Sequence, residues 1–403
     1  MLDKQQVLEL IANGENSYVE FKEDSVDNKA LAREIVAFSN LKGGRVFLGV
    51  DDCGNIIGLT RSDNEERVMN ICSDLIRPII DPVYYDITID EKKVGVIEVE
   101  MGCNKPYYLK DKPAKANRYY KRYGSTVREV KERDELQRLL QSSGNLHFEL
   151  LPASYSKLKD LDDFGIREFL LTSRPTLEVD KLTEKEIMNL YLNLDLITEV
   201  ENVADKCQPT VAGLLLFGKG RVKRYLPQSG IMCVKVIGND IADEKENLKF
   251  FERNIFENYR DVISFFYIYN AHAFEVKGIK RIDYFDYPES AFRELLANSV
   301  IHRDYTIFGT EIGVWIFNNR IEIRSPGGLP NTMTLENMKL GLKYHRNPVL
   351  AQYFFEAGMI ERAGQGIIKC NRWLKENSNP ELEIIEDDYE VKVIMYKRNG
   401  SNK

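Results

Sequence analysis

The chain has little of what soft-metal sites, disulfide frameworks and membrane spans are made from. Its six cysteines (Cys53, Cys72, Cys103, Cys207, Cys233, Cys370) are dispersed with no CxxC pair, and it has only four histidines. In a cytoplasmic protein, the location expected here, such cysteines are reduced core residues and not zinc ligands or disulfides. A catalytic metal would then be a hard, oxygen-ligated ion such as Mg2+ or Mn2+. No apolar run approaches the roughly 18 residues that a membrane-spanning helix requires. The opening MLDKQQVLEL lacks a signal-peptide layout, so no membrane partner is expected. Positive charge is not in excess either. The net charge of −7 excludes indiscriminate polyanion binding by the whole surface. It leaves room for a local basic face, because charges act within about one Debye length, roughly 8–10 Å.

What is present is ordinary globular material, 43% hydrophobic and 30% charged over 403 residues, enough for two or three domains. The pattern predicts an α+β fold in three parts: a mixed α/β domain over 1–143, a helical bridge over 144–207 that could be a winged helix, and an α/β sandwich over 208–403. Asn28 is expected to cap a helix carrying Leu31, Ile35, Phe38 and Leu41, with Gly43-Gly44 as its stop. Ser62 and Glu65 read as a capping box for the next helix. Thr183 can cap Glu184–Leu194, and Thr210–Gly218 is a buried apolar element that periodicity leaves undecided between helix and strand.

Two stretches of the first domain carry candidate chemistry. In Glu15–Gly58, Glu20 and Lys22 lie on a strand, Glu15 at its entrance and Asp52 at the end of another strand. Side-by-side strands would gather the three carboxylates into a metal-assisted nuclease centre; the other reading is a scaffold with solvated acids. The segment Cys103–Gly124 holds Lys105, Lys110, Lys112, Lys115, Arg118, Lys121 and Arg122 against a single acid, Asp111, with five interleaved tyrosines. Basic groups neutralise phosphates and tyrosines stack on bases, which makes this the best nucleic-acid footprint in the chain. It reads equally as an exposed hairpin whose lysines protect an edge strand.

A second constellation lies near the C-terminus. Glu294 and Asn298, four residues apart on the helix after Pro288, share one face. The turn Ser325-Pro326-Gly327-Gly328 and a polar stretch over 331–345 follow. Then comes Gly364-x-Gly366 opening a helix, where backbone amides can face phosphate.

The series Glu15-x4-Glu20-Phe21-Lys22, Ala37-Phe38-Ser39-Asn40, Gly43-Gly44, Gly49-Val50-Asp51-Asp52, Ile57-Gly58 and Arg122-Tyr123-Gly124-Ser125 resembles the Schlafen-type, AlbA-like domain, over roughly residues 1–140. In that family's nucleases the matching acids, here Glu15, Glu20 and Asp52, hold divalent ions for phosphodiester cleavage. Lys22 would contact the scissile phosphate. The C-terminal constellation resembles a divergent GHKL-type ATP-binding module, the helicase-type C-terminal region of bacterial Schlafen-type proteins. There the asparagine, here Asn298, binds the magnesium on the ATP phosphates, and the glutamate, here Glu294, positions water. Gly327, Gly328, Gly364 and Gly366 complete the nucleotide site. Ser325 stands where GHKL ATPases usually carry an aspartate for adenine.

The resemblance implies a nucleotide-responsive endoribonuclease acting on tRNA-like RNA, with phage defence as a setting. The alternatives are an ATP-sensing DNA-binding transcriptional regulator and a scaffold. The expected partners are nucleic acid (RNA or DNA), ATP and, for assembly, a second copy of the chain.

Overall fold

A computed structural model describes residues 1–102, 104–111, 116–142, 147–200, 206–277, 280–329, 336, 344–360, 366–387 and 389–398. The fold is α+β, and the chain divides into two compact units, Met1–Leu146 and His147–Lys403.

The first unit runs α1 (Lys4–Ala12), β1 (Val19–Lys22), α2 (Asn28–Asn40), β2 (Gly44–Leu48), α3 (Asn64–Asp74), β3 (Ile76–Arg77), β4 (Val83–Ile89), β5 (Lys92–Val99), β6 (Tyr108–Asp111), β7 (Ala116–Tyr123), β8 (Thr126–Glu129) and α4 (Arg133–Ser142). It builds two four-stranded sheets, ordered β1-β2-β5-β4 and β3-β6-β7-β8. One face of the first sheet packs on α1 through Val19, Phe21, Phe47 and Val96 against Val7 and Ile11. Its other face meets α2 through Val46, Leu48, Ile97 and Val99, and the second sheet reaches the same core through Ile76, Leu109 and Tyr120. Helix α2 therefore lies between the sheets and is buried at Leu31, Ala32, Ile35 and every position from Val36 to Asn40.

The turn after α2 shows why two glycines are needed. Gly43 takes φ +82°, and its N–H donates to Phe38 O at 3.0 Å, closing the helix end. Gly44 is a packing requirement, since a Cβ there would lie 2.2 Å from the Phe38 ring. Helix starts differ from the sequence expectation. Asp27, not Asn28, caps α2 by accepting from Lys29 N and Ala30 N. Asp63 is the N-cap of α3 in place of a Ser62–Glu65 box, and its carboxylate is held by Arg61 instead. Only Asp27 caps with its carboxylate; the Asp63 side chain makes no bond to the α3 amides.

The second unit contains α5 (Asp163–Ser173), α6 (Glu184–Asn193), β9 (Ile197–Glu199), β10 (Cys207–Pro209), α7 (Val211–Phe217), β11 (Ile231–Val236), β12 (Lys245–Phe251), α8 (Ile255–Tyr269), β13 (His272–Lys277), β14 (Lys280–Phe285), α9 (Glu289–His302), β15 (Ile312–Ile316), β16 (Arg320–Pro326), α10 (Pro348–Glu356), α11 (Gly366–Glu376), β17 (Glu383–Glu386) and β18 (Glu390–Tyr396). Its main sheet has the order β12-β11-β15-β16-β18-β17, and β9–β10 and β13–β14 are two-stranded. One hydrophobic core runs from Ala153 through the helices to Met395. The bridge expected as a separate part over 144–207 thus shares the core of the C-terminal sandwich. Its undecided element Thr210–Gly218 is the helix α7, capped by the Thr210 side chain on Gly213 N.

Glu149 shows how bridge and sandwich are joined. Its buried carboxylate accepts from Val349 N at 2.8 Å and Leu350 N at 3.0 Å, the open amides at the start of α10. Burial, opposed by those two amides, raises its pKa to about 7. A raised carboxyl pKa means that the folded state holds the proton more tightly. The stability this contributes is complete below the unfolded value of 4.5 and is lost as pH rises through about 7. Glu149→Gln should therefore remove about 2 kcal/mol of stability loss between pH 5 and pH 8, read by urea unfolding at both values. Glu149→Ala should destabilise at both by about 2 kcal/mol, because two buried amides lose their acceptor.

Candidate nucleic-acid interface and nucleotide site

The parallel pairing of β1 and β2 sets Val19 opposite Arg45 and Lys22 opposite Leu48. Glu15 thus precedes one strand while Asp52 follows the far end of the other. Glu15 turns back along its strand and accepts from Phe21 N at 2.9 Å. Asp52 is exposed in a turn that its neighbour Asp51 builds by accepting from Cys53 N, Asn55 N and Asn55 Nδ2. Glu20 is buried at 4% exposure on the α2 side of the sheet, and both of its oxygens meet cations: Lys22 Nζ on Oε1 and Arg122 Nη2 on Oε2 at 2.5 Å. Among the described residues no group of three or more His, Cys, Asp or Glu side chains is arranged to hold a metal ion.

Arg122 is the hub of this region. At 2% exposure it donates from Nε and Nη2 to Asn16 O, from Nη2 to Val19 O and Glu20, and from Nη1 to Glu34 Oε2 at 3.0 Å. Its guanidinium also lies over the Phe38 ring, 4.6 Å from the centroid. Burial, with the charge of Glu20, pushes the Glu34 carboxyl up to about 7 despite Lys22, Arg122 and Arg33 nearby. Burial opposes the charge of Lys22, yet the hydrogen bond and charge of Glu20, with Glu34 and Glu15, raise its pKa.

Strand alternation sorts the remaining cations. Leu109, Tyr120, Arg122 and Val127 face α2. The outward register rows are Arg77 opposite Tyr108, Tyr108 opposite Tyr119, Lys110 opposite Asn117, Lys121 opposite Arg128, and Tyr123 opposite Thr126. That face carries Arg77, Lys110, Lys121 and Arg128 with Tyr108, Tyr119 and Tyr123, and no carboxylate occupies any of these positions. Lys110, Tyr123 and Arg128 are exposed; Arg77, Tyr108, Tyr119 and Lys121 are half-buried.

The structure thus corrects part of the expected basic track. Arg122 is a buried structural cation, and Lys105, at 5% exposure, donates inward to Leu41 O at 2.5 Å. Arg118 is exposed but lies 3.6 Å from Glu129. Lys110 and Lys121 remain on the surface, and Arg77 and Arg128 join them. Lys112 and Lys115 lie outside the described residues. The contacts of Asn40, a member of the Ala37-Phe38-Ser39-Asn40 motif, also escaped sequence reasoning. Its Nδ2 donates to Tyr107 O and Tyr120 O at 2.8 and 3.0 Å, and its Oδ1 accepts from Tyr107 N at 2.8 Å, fixing β6 and β7 to α2.

In the second unit Glu294 and Asn298 face each other on α9, with Asn298 Nδ2 donating to Glu294 Oε1 at 3.2 Å. The first residue of α11 is set against them, since a Cβ on Gly366 would come 2.1 Å from Glu294 Oε1 and 3.4 Å from Asn298 Nδ2. Gly327 has φ +100° and donates to Tyr389 O at 2.6 Å; a Cβ there would strike Asp304 at 2.5 Å. The turn is pinned by Arg346, which is buried and donates to His302 O and Gly328 O, both at 2.7 Å. Burial, with the charges of His345 and Arg346, pushes His302 down to about 3. Ser325 is committed to packing, donating to Ser299 O at 2.7 Å. Gly364 lies outside the described residues.

Comparison with known proteins finds a family-model match within each unit. Residues 15–131 match the family model "Schlafen, AlbA_2". The first unit is a Schlafen AlbA_2 domain. Residues 309–395 match the model "Putative ATP-dependent DNA helicase recG C-terminal", a span that begins after Glu294 and Asn298. Together the Schlafen AlbA_2 domain and the recG-type module support a nucleic-acid-binding protein. No curated protein matches the chain. Among solved structures, the DIP2311 protein of Corynebacterium diphtheriae is 21% identical, with 98% of this chain and 80% of that one covered and a TM-score of 0.47. The N-terminal domain of a RecG-related protein of Nitrosomonas europaea, described as a putative ATP-dependent DNA helicase, is 24% identical, with 33% and 97% covered and a TM-score of 0.25.

Within the Schlafen AlbA_2 domain, buried and exposed cations should respond oppositely to substitution. Arg122→Lys keeps the charge but loses the fork that reaches both acids and two carbonyls, and should cost about 3 kcal/mol in urea unfolding. Lys121→Ala should stay within about 0.5 kcal/mol of the parent.

Proposed function

We propose that this chain is an ATP-binding, nucleic-acid-binding protein that engages phosphates through the outward face of β3-β6-β7-β8. The observation that supports it is the segregation of charge on that sheet. The outward register positions hold Arg77, Lys110, Lys121 and Arg128 and no acid, while Arg122 is turned inward and neutralised by Glu20 and Glu34. A cationic face of this kind binds phosphate locally even on a chain of net charge −7. The bridge helices are a poorer reader. Around the start of α6, Glu184 and Glu186 are exposed beside Lys185, an acidic surface for a groove-facing helix.

The finer expectation, a metal-dependent endoribonuclease using Glu15, Glu20, Asp52 and Lys22, rests on family resemblance. The carboxylates as arranged do not fit a divalent ion, because both Glu20 oxygens are neutralised by Lys22 and Arg122. Binding without cleavage is therefore the reading favoured here, with a DNA- or RNA-binding regulator as its biological form.

For the nucleotide, Asn298 and Glu294 are a fitting hard-ligand pair. The Asn298 amide nitrogen faces Glu294, which turns its oxygen, the atom magnesium prefers, to the other side. Bound magnesium would neutralise phosphate charge there. Gly366, opening an 11-residue helix directly beside the pair, supplies backbone amides for the phosphates. With Ser325 committed to Ser299 O, the base is held without the aspartate of GHKL ATPases.

Labelled RNA and DNA should bind the full chain with salt-dependent affinity. Each of Lys110→Ala, Lys121→Ala and Arg128→Ala should flatten the log–log salt slope by about 0.7–0.9. Oligonucleotides should stay intact with added Mg2+ or Mn2+; cleavage that disappears in Glu20→Gln would restore the nuclease reading. ATP titration should show at least a tenfold loss of affinity in Asn298→Ala and in Gly366→Ala, and unchanged affinity in both would remove the nucleotide assignment.

A further inference from the structure

The outward face of β3-β6-β7-β8 carries more than charge. Tyr108 and Tyr119 stand directly opposite each other on β6 and β7, with ring centroids 5.4 Å apart and planes tilted by 57°. Tyr123 lies four residues further along the same face of β7 and is 43% exposed. Lys121 Nζ and Arg128 Cζ flank its ring at 5.4 and 5.8 Å from the centroid. Lys110 and Arg77 adjoin the Tyr108–Tyr119 pair through the registers Lys110–Asn117 and Arg77–Tyr108. Aromatic and cationic positions therefore intermingle over one sheet surface, and the inward positions of the same strands are spent on the α2 core.

We infer that this face is a single-strand site, on which unpaired bases of RNA or DNA stack on Tyr108, Tyr119 and Tyr123 while Arg77, Lys110, Lys121 and Arg128 hold the adjoining phosphates. The inference rests on the nucleic-acid reading above and narrows its substrate class. Duplex fits poorly for two physical reasons. Bases in a duplex are stacked on one another, so their faces are closed to a tyrosine ring, and only phosphates and groove edges are presented. The major groove admits a helix or a two-stranded ribbon edge-on, not the broad face of a four-stranded sheet. An unpaired strand has open base faces, and stacking on aromatic rings tolerates any sequence because every base has one. The spacing suits a short run. Four residues of strand place Tyr119 and Tyr123 about 13 Å apart, close to the length of four stacked bases at roughly 3.4 Å each. Charge points the same way, since each cation lies beside a ring, so that a stacked base brings its own phosphate to a positive group.

The test uses the full chain and fluorescence anisotropy with end-labelled oligonucleotides of about 12 units: oligo(U) RNA, oligo(dT), an abasic phosphodiester of equal length and charge, and a blunt DNA duplex. Single strands should bind at least tenfold more tightly than the abasic strand and the duplex at the same salt. Tyr108→Leu, Tyr119→Leu and Tyr123→Leu should each weaken single-strand binding about five- to a hundredfold. The three Tyr→Phe variants should retain it, because stacking needs the ring and not the hydroxyl. Thermal melting keeps a folding defect distinct from a lost contact, and the exposed Tyr123 is the position least able to disturb the core. Equal affinity for abasic and base-bearing strands, or preference for duplex, would overturn the stacking inference while leaving phosphate binding intact. Absence of binding to every probe would remove the nucleic-acid reading itself.

Discussion

The Schlafen AlbA_2 unit depends on one guanidinium. Arg122 sits inside the domain, and its fork ties the loop before β1, the strand itself and α2 to β7 through Asn16, Val19, Glu20 and Glu34. A buried arginine is tolerable only when its donors are matched and its charge is balanced. Here two carboxylates and two carbonyls do both, while Phe38 covers its face. The arrangement makes β7 two-sided. Its inward residues build the domain, and its outward residues face away from that core. It also sets the state of Glu20, whose oxygens are taken by Arg122 and Lys22, so that the residue most suggestive of a metal ligand in the sequence is an internal counter-ion in the fold.

Much of this architecture was legible in the sequence because it rests on local rules. Period-two alternation gave β1, β4 and β5 their general positions, and the Gly43-Gly44 stop and the Thr183 cap follow from backbone chemistry that travels with the residue. The α+β class and the two resembling modules were legible because their motifs occur in order. The basic segment was legible as a footprint but not as a surface. Lys105 and Arg122 look like Lys110 and Lys121 in composition, and only pairing register and the position of α2 separate inward from outward. Asn40 was legible as a motif member whose purpose, fixing two strand segments far along the chain, depends on contacts that local pattern cannot carry. Arg346 was hidden for the same reason, since its partners His302 and Gly328 lie in separate parts of the sequence.

The expected metal centre illustrates a more general limit. Parallel pairing of β1 with β2 sends Asp52 into the turn beyond Leu48, while Glu15 folds back beside β1 and accepts from Phe21 N. Adjacent strands were foreseeable; the partners were the deciding quantity, since Glu20 is taken by Lys22 and Arg122 and Glu15 by a backbone amide, and spacing along the chain does not contain them.

The glycines of the second unit show why a motif can persist while the roles of its members differ. Gly327 is required by its positive φ and by the approach of Asp304, and its N–H is already given to Tyr389 O, so it shapes the turn without offering a donor to phosphate. Gly366 is required because any side chain would collide with the Glu294 carboxylate, which brings a helix N-terminus directly against the Glu294–Asn298 pair. One glycine is architectural and the other borders the proposed nucleotide site. The same division holds for the cations of β7, where residue type is shared and burial assigns the role. In both units, then, residues of one type or one motif are told apart by how the fold uses their polar groups.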